Sequence, residues 1–151
     1  MRTGRVAADV GIGLAAGLAG TAAITASTML ESKLRGRGES QAPAEAAQKV
    51  LGVEATSEQA KARFSTLVHW AYGSGWGAVR GLLDAAGLPP AAATATHAAL
   101  LWGAEQAMLP SLKLAPPLTE QDAAELAVDG AHHLLYAVAT GAAYSRLSRD
   151  M

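Results

Sequence analysis

The stretch VGIGLAAGLAGTAAITASTML, residues 10–30, contains no charged residue. About twenty apolar residues in a helix span the hydrocarbon core of a bilayer. A surface helix of a soluble protein would show a polar face every 3.6 residues, and this stretch shows none. Its hydroxyl groups can bond to carbonyl groups within the same helix. The stretch therefore predicts a transmembrane helix.

Three more long runs, which begin near positions 64, 85 and 130, are also free of charged side chains. Pro89 and Pro90 favour the start of a helix, because the first N–H groups of a helix have no partner within it. Pro110 should kink or end the helix that begins there. The four predicted spans are residues 10–30, 64–83, 89–109 and 126–146.

Polar residues separate the predicted spans. Residues 31–63 are predicted to connect the first two spans, and within them residues 43–51, followed by Gly52, are typical of a short helix with a C-terminal glycine. Ser57 is a candidate N-cap for a helix that continues into the second span. Before the last span, Thr119 and the acidic residues after it predict an N-cap and an acidic first turn.

Composition excludes several classes of protein. A net charge of −1 and a pI of about 6.4 provide no basic surface for nucleic acid. The absence of cysteine excludes disulfides and thiol chemistry. The uncharged runs favour a membrane protein over a soluble alanine-rich bundle. A cleaved signal peptide is a rival interpretation of the N-terminus, but the first run is longer than a typical signal core and three others follow it.

A pattern of histidine, tyrosine and glycine occurs twice, as HWAYGSGWG from His69 and as HLLYAVATG from His133. In each copy, steps of four and three residues place three polar side chains on one helical face. The two faces are Ser65/His69/Tyr72 and Asp129/His133/Tyr136. The repeat predicts a duplicated helical hairpin, with His69 and His133 at similar depth and facing a shared interior.

Glycines near these faces predict close packing between helices. Small residues spaced four apart let two helix backbones approach each other inside a bilayer. The predicted packing glycines are Gly13, Gly17, Gly73, Gly77 and Gly141. Together these patterns predict an all-α fold: a four-helix transmembrane bundle of two hairpins, in one domain over residues 1–151.

The last predicted helix carries a pattern found in a known family. Its matching residues are His133, Tyr136, Gly141 and Tyr144. They resemble the His-x-x-Tyr-Gly and Gly-x-x-Tyr patterns in small bacterial integral membrane proteins of the YagU type, although Ala137 stands where that family has glycine. GLAAGLAGT, residues 13–21, is a second likeness. The resemblance implies a helical membrane protein and no reaction, because the activity of that family is not established.

Polar and ionisable residues within predicted spans are the functional candidates, because such groups are costly to bury in hydrocarbon. We define the candidate polar cluster as His69, Tyr72, His97, Glu105, Asp129, His132, His133 and Tyr136. Asp129 is the expected partner of an imidazole. Arg80 lies near the end of its span, and its guanidinium is expected to reach the membrane interface.

No catalytic, cofactor or metal motif is predicted. A di-iron site needs carboxylate-x-x-His on two helices; Asp129 and His132 provide one such pair, whereas Thr66 precedes His69. Phosphate-loop and dinucleotide patterns are also missing from the sequence. We therefore predict no enzyme, no cofactor and no metal ligand.

The sequence predicts a multi-pass protein of the bacterial inner membrane that acts as a structural or partner-binding module. Its expected partners are the lipid bilayer and either another copy of itself or a second membrane protein, and not nucleic acid. One alternative is a small proton, ion or solute transporter that uses the intramembrane His, Asp and Glu residues. The other is a soluble alanine-rich helical bundle.

Overall fold

The structure, a computed structural model, describes residues 2–36, 42–53 and 57–150. These residues form an all-α fold with five α-helices and two short 3-10 helices, and no strand occurs among them. The α-helices are α1 (Arg2–Arg35), α2 (Ala42–Leu51), α3 (Glu58–Ala85), α4 (Pro90–Ser111) and α5 (Ala123–Leu147). The 3-10 helices are Leu118–Glu120 and Ser148–Asp150.

The four predicted spans fall inside α1, α3, α4 and α5, except that Pro89 precedes the first residue of α4, and most of these helices extend beyond the apolar runs. Helix α1 begins eight residues before the predicted span and continues to Arg35, because charged residues interrupt an apolar pattern without breaking a helix. Helix α2 ends where Gly52 adopts a φ of 65°, a conformation that favours glycine. Helix α4 ends at Ser111, one residue after Pro110.

The N-caps of α3 and α5 can be compared with the predicted ones. The Ser57 side chain accepts a hydrogen bond from the backbone N–H of Ala60, and so caps α3. The predicted cap at Thr119 is wrong, because Thr119 lies in a 3-10 helix and Asp122 caps α5. The Asp122 carboxylate accepts from two backbone N–H groups, those of Ala124 and Glu125, whereas a hydroxyl further back along the chain cannot reach them.

Helix α1 runs antiparallel to both α3 and α5 and packs between them. Near its start, Asp9 accepts a hydrogen bond from Tyr144 close to the end of α5. At its other end, Arg35 donates to Glu125 in the first turn of α5 and to Glu31 in its own helix, both at 2.9 Å. These two hydrogen bonds raise the pKa of Arg35. Helices α3 and α5 are therefore parallel, as the duplicated hairpin requires.

Helix α4 runs antiparallel to α5 and completes the bundle. Thr94 lies opposite Gly141 near one end of the pair, and Trp102 lies opposite Asp129 nearer the other. The His97 imidazole lies 3.0 Å from the backbone oxygen of Trp76, which joins α4 to α3. The resulting order of packed helices is α3, α1, α5 and α4.

Polarity in this bundle is inverted relative to a soluble protein. The largest fully buried side chains are Arg80, Tyr136, Tyr144, His97, Thr21 and Thr140. Many leucines lie on the outside, among them Leu18 (47% exposed), Leu100 (47%) and Leu134 (53%). The bundle thus encloses several polar side chains and leaves many leucines on its outside.

Hydropathy gives a narrower result than the four predicted spans. Among the described residues, only the helix over Thr3–Arg35 is both long enough and apolar enough to cross a membrane. In its most apolar stretch of 18 residues, 28% of the residues are buried. Helices α3, α4 and α5 fall short, since residues such as Arg80, Glu105 and Asp129 lower their mean hydropathy. By this measure, the expectation of four spans holds for α1 alone.

Candidate functional site

A cavity of about 650 Å³ lies between the five helices, near the C-terminal end of α1. Its walls are largely apolar, with Ile24 and Met29 from α1, Val50 from α2 and Leu101 and Met108 from α4. Every member of the candidate polar cluster except His97 also lines it. The cavity therefore combines an apolar wall with a group of polar and ionisable side chains.

Three side chains from two helices form the centre of this polar group: Glu105 of α4 and Asp129 and His133 of α5. We call them the acid–histidine cluster. The Nε2 atom of His133 lies 2.6 Å from Oε2 of Glu105, and its Nδ1 atom lies 3.4 Å from Oδ1 of Asp129. One ligand atom from each of the three residues lies within 4.8 Å of the others. Sequence spacing indicated the pairing of Asp129 with His133. Glu105 was also a candidate residue, but its contact with His133 was not predicted.

The histidine of this cluster is held in one orientation. Its Nδ1 atom lies 2.9 Å from the backbone oxygen of Asp129. A carbonyl oxygen can only accept a hydrogen bond, so Nδ1 carries a proton and Nε2 faces Glu105. His133 is 8% exposed, and α5 therefore presents Nε2 to the cavity wall in a fixed position.

The Asp129 carboxylate is also fixed by its neighbours on α4. Its Oδ2 atom accepts hydrogen bonds from Nε1 of Trp102 at 2.8 Å and from Nε2 of Gln106 at 3.2 Å. Gln106 is itself held by Gln121, whose amide donates to it at 3.1 Å. With Oδ2 occupied by two donors, Oδ1 is the oxygen that faces His133.

The other cavity histidines contact hydroxyl groups of α1. The Thr25 hydroxyl donates to the backbone oxygen of Thr21, so Nε2 of His69, 2.8 Å away, must donate to Thr25. Nδ1 of His132 lies 2.8 Å from the hydroxyl oxygen of Ser27. His69 and His132 thus contact the same part of α1, and the predicted repeat partners His69 and His133 both line the cavity.

Two members of the candidate polar cluster lie away from its centre. His97 is fully buried, with Nε2 against the Trp76 backbone and its ring 5.6 Å from that of Tyr136. His97 faces α3, so it does not line the cavity that Glu105 lines. Tyr72 borders the cavity but is 38% exposed, so this end of the Ser65/His69/Tyr72 face is open.

A second buried polar group, at the opposite end of the bundle, was partly missed by sequence reasoning. Arg80 is fully buried, although it was expected to reach the membrane interface. Its guanidinium lies over the ring of Tyr144, 4.5 Å from the centroid, and 3.6 Å from Asp84. Asp9, which is 4% exposed, completes the group through Tyr144. The side chain of Arg80 is too deeply enclosed by α1 and α5 to extend outward.

Three of the predicted packing glycines, Gly13, Gly17 and Gly77, lie where the backbones of α1 and α3 meet, whereas Gly73 and Gly141 each face a threonine side chain of a neighbouring helix. Gly13 and Gly17 of α1 face Gly77 and Gly73 of α3, and a Cβ atom at Gly13 or Gly77 would overlap the backbone of the other helix. Gly141 of α5 faces the hydroxyl of Thr94 on α4. Gly77 and Gly141, the equivalent glycines of the two copies, thus each pack against the preceding long helix of their own hairpin.

Comparison with known proteins adds no assignment, since no protein-family model, curated protein or solved structure matches the chain. The function is therefore argued from geometry. The two features available for that argument are the inverted polarity and the cavity with its acid–histidine cluster.

Proposed function

We propose that this chain is a multi-pass integral membrane protein in which α1, α3, α4 and α5 each cross the bilayer. The observation that carries the proposal is the inverted polarity of the bundle: Arg80, His97 and Thr140 are fully enclosed while leucines cover the outside. In hydrocarbon, ionisable side chains face the interior of a bundle and apolar side chains face lipid. The YagU-type resemblance in α5 is consistent with such a protein of the bacterial inner membrane.

The charges that lower the mean hydropathy of α3, α4 and α5 do not argue against this placement. The side chain of Arg80 is fully buried, and the carboxylates of Glu105 and Asp129 line the cavity, so these groups lie inside the bundle and not on its outer faces. An average over the helix counts such residues as if they were on the surface. The outward faces, which alone would touch lipid, carry residues such as Leu82, Leu135 and Val138.

The helices are also long enough to cross. Helix α4, the shortest of the four, has 22 residues. At about 1.5 Å per residue it extends roughly 33 Å, slightly more than the hydrocarbon core of about 30 Å. Helices α3 and α5, with 28 and 25 residues, exceed that length.

Within the membrane, we assign the protein a binding role centred on the cavity. On the side of Tyr136 away from the cavity, the glycine contacts of α1 with α3 bring the two backbones together. Arg80 and Tyr144 fill the space between the helices there. This packing favours a pocket with one entrance over a pathway from one side to the other. A small ligand, or a side chain from another copy or a second membrane protein, would enter from the end covered by α2.

Spin labels test the membrane placement directly, and the absence of cysteine makes single-site labelling straightforward. Labels on Leu18→Cys, Leu100→Cys and Leu134→Cys in proteoliposomes should relax strongly with oxygen, which concentrates in the bilayer, and weakly with a water-soluble nickel chelate. Labels on Glu58→Cys and Glu120→Cys, at exposed positions outside the apolar runs, are the matched controls and should show the reverse.

Two results would contradict the proposal, and each would support a different function. If the leucine positions respond like the control positions, and carbonate extraction leaves the chain in the soluble fraction, the chain is a soluble alanine-rich bundle. If proteoliposomes carry an ion flux that His133→Ala abolishes while the fold is retained, the protein is a transporter and not a binding module.

A further inference from the structure

We propose that the acid–histidine cluster of Glu105, Asp129 and His133 binds one divalent transition-metal cation. The inference names the ligand of the proposed binding cavity, and it rests on that proposed role. The first supporting observation is that one ligand atom from each of the three residues lies within 4.8 Å of the others. Ligands held at about 2.0–2.2 Å around one ion are about 3–4 Å apart, so small side-chain adjustments suffice.

The surrounding hydrogen bonds are those that metal ligands require. A histidine that binds a metal through one nitrogen usually donates the N–H of the other to a carbonyl or carboxylate, which fixes the ring. Nδ1 of His133 donates in this way to the backbone oxygen of Asp129, and the ion would replace the proton that Nε2 shares with Glu105. Trp102 and Gln106 hold Oδ2 of Asp129, so its other oxygen is directed at the cluster.

The charge and the chemistry of these ligands select the class of ion. Without an ion, the proton shared between Nε2 of His133 and Glu105 leaves the three residues with a net charge of −1. When an ion displaces that proton, two carboxylates and a neutral imidazole carry a charge of −2, which a divalent cation cancels. Imidazole together with carboxylate suits ions such as Mn²⁺, Fe²⁺, Co²⁺ and Zn²⁺, whereas Cu⁺ prefers thiolates and thioethers. The three residues line the 650 Å³ cavity, which leaves room for water or a small ligand at the remaining positions.

The cluster differs from the metal pattern considered in the sequence. That pattern paired Asp129 with His132, three residues later, but His132 faces Ser27 of α1. The adjacent His133 faces Glu105 on α4 instead. The carboxylate that completes the set comes from a different helix, and no local spacing could indicate it.

Metal titration of the purified full chain in detergent tests the inference. The protein is stripped with a chelator and titrated with Mn²⁺, whose free ion gives an electron paramagnetic resonance signal that binding removes, and with Co²⁺, whose absorption reports the ligands. One ion per chain is expected. Glu105→Gln and His133→Gln should each weaken binding by at least about 100-fold, whereas Glu125→Gln, an exposed carboxylate on α5, should leave binding unchanged.

Two further variants keep the test decisive if a ligand variant fails to fold. Trp102→Phe and Gln106→Leu leave all three ligands in place but remove a donor to Asp129, and each should weaken binding by about 10-fold or more. The inference is overturned if the wild-type chain binds no ion stoichiometrically, or if all variants bind as it does. Because the titration is done in detergent, it reports on the site whether or not the helices cross a bilayer, and the spin labels report on the bilayer whether or not metal binds.

Discussion

Single polar side chains connect the helices of this bundle. The Tyr136 hydroxyl donates to the backbone oxygen of Gly73, which joins α5 to α3, and Thr25 accepts from His69, which joins α1 to α3. Arg80 is enclosed against Tyr144 at the other end. Inside a bilayer, where apolar contact is no more favourable with a helix than with lipid, such contacts contribute to the association of helices.

Removing the Tyr136 hydroxyl should therefore weaken the bundle. Tyr136 is 2% exposed, and Tyr136→Phe deletes its bond to α3 without altering the packing of the ring. We expect the free energy of unfolding to fall by about 1 kcal/mol, measured by titration of the detergent-solubilised protein with a denaturing detergent. Tyr72→Phe, at a ring that is 38% exposed, is the control and should change the midpoint less. If both variants lower the free energy of unfolding equally, the hydrogen bond from Tyr136 to Gly73 makes no specific contribution to stability.

At the scale of elements, the contact of α1 with α3 depends on glycine. Gly17 and Gly77 lie so close that a Cβ atom on Gly77 would overlap the backbone atoms of α1. Gly75, two residues earlier on the same helix, has nothing within 4 Å of a Cβ position. The two positions differ in environment and not in residue type.

Alanine substitutions at these two glycines should separate packing from helix propensity. Gly77→Ala should destabilise the bundle by about 1–3 kcal/mol, since the two backbones must move apart. Gly75→Ala should leave stability within about 1 kcal/mol of the original, in the stabilising direction, because alanine favours a helix. Thermal unfolding in detergent measures both, and a loss at Gly75 as large as at Gly77 would contradict the close contact.

Helix α2 covers the cavity through its alanines. Ala46 is 4% exposed and lines the cavity, whereas Gln48 on the same helix is half-buried and does not line it. Ala46→Glu would bury an unpaired carboxylate, so we expect α2 to leave its position and its amides to exchange hydrogen faster, as measured by mass spectrometry. Gln48→Glu introduces the same side chain at a half-buried position that does not line the cavity, and should leave exchange nearly unchanged. Slow exchange in both variants would show that α2 is not held by the buried alanine.

The whole molecule places its two chain ends together. The start of α1 lies beside the end of α5, where Tyr144 donates a hydrogen bond to Asp9. The end of α1 lies beside the start of α5, where Arg35 contacts Glu125. If all four long helices cross the bilayer, both termini are on one side and the two polar connections are on the other.

Sidedness of single cysteines tests this arrangement. In sealed membrane vesicles, a maleimide that cannot cross the bilayer should label Gly4→Cys and Arg149→Cys from one face and Glu58→Cys and Glu120→Cys from the other. Labelling after the vesicles are opened gives the total for each variant. If the first two positions label from opposite faces, the number of crossings is odd and the four-span proposal is wrong.

The elements of the fold could be predicted from the sequence because their causes are local. A helix is formed by hydrogen bonds between residues four apart, and its ends depend on the residues beside them. Gly52, Ser57 and Pro90 therefore marked the ends of α2, α3 and α4 correctly. Thr119 failed because Asp122, also in the predicted first turn, accepts two bonds and caps the helix itself.

The acid–histidine cluster and the enclosure of Arg80 were decided only by the tertiary structure. His132 and His133 are neighbours in the sequence, but successive residues of a helix point about 100° apart, so one meets Ser27 on α1 and the other meets Glu105 on α4. Which helix lies on each side depends on how all the helices pack, and not on residues nearby in the chain. The sequence alone determined that polar side chains occur within apolar helices, and the packing determined which of them meet.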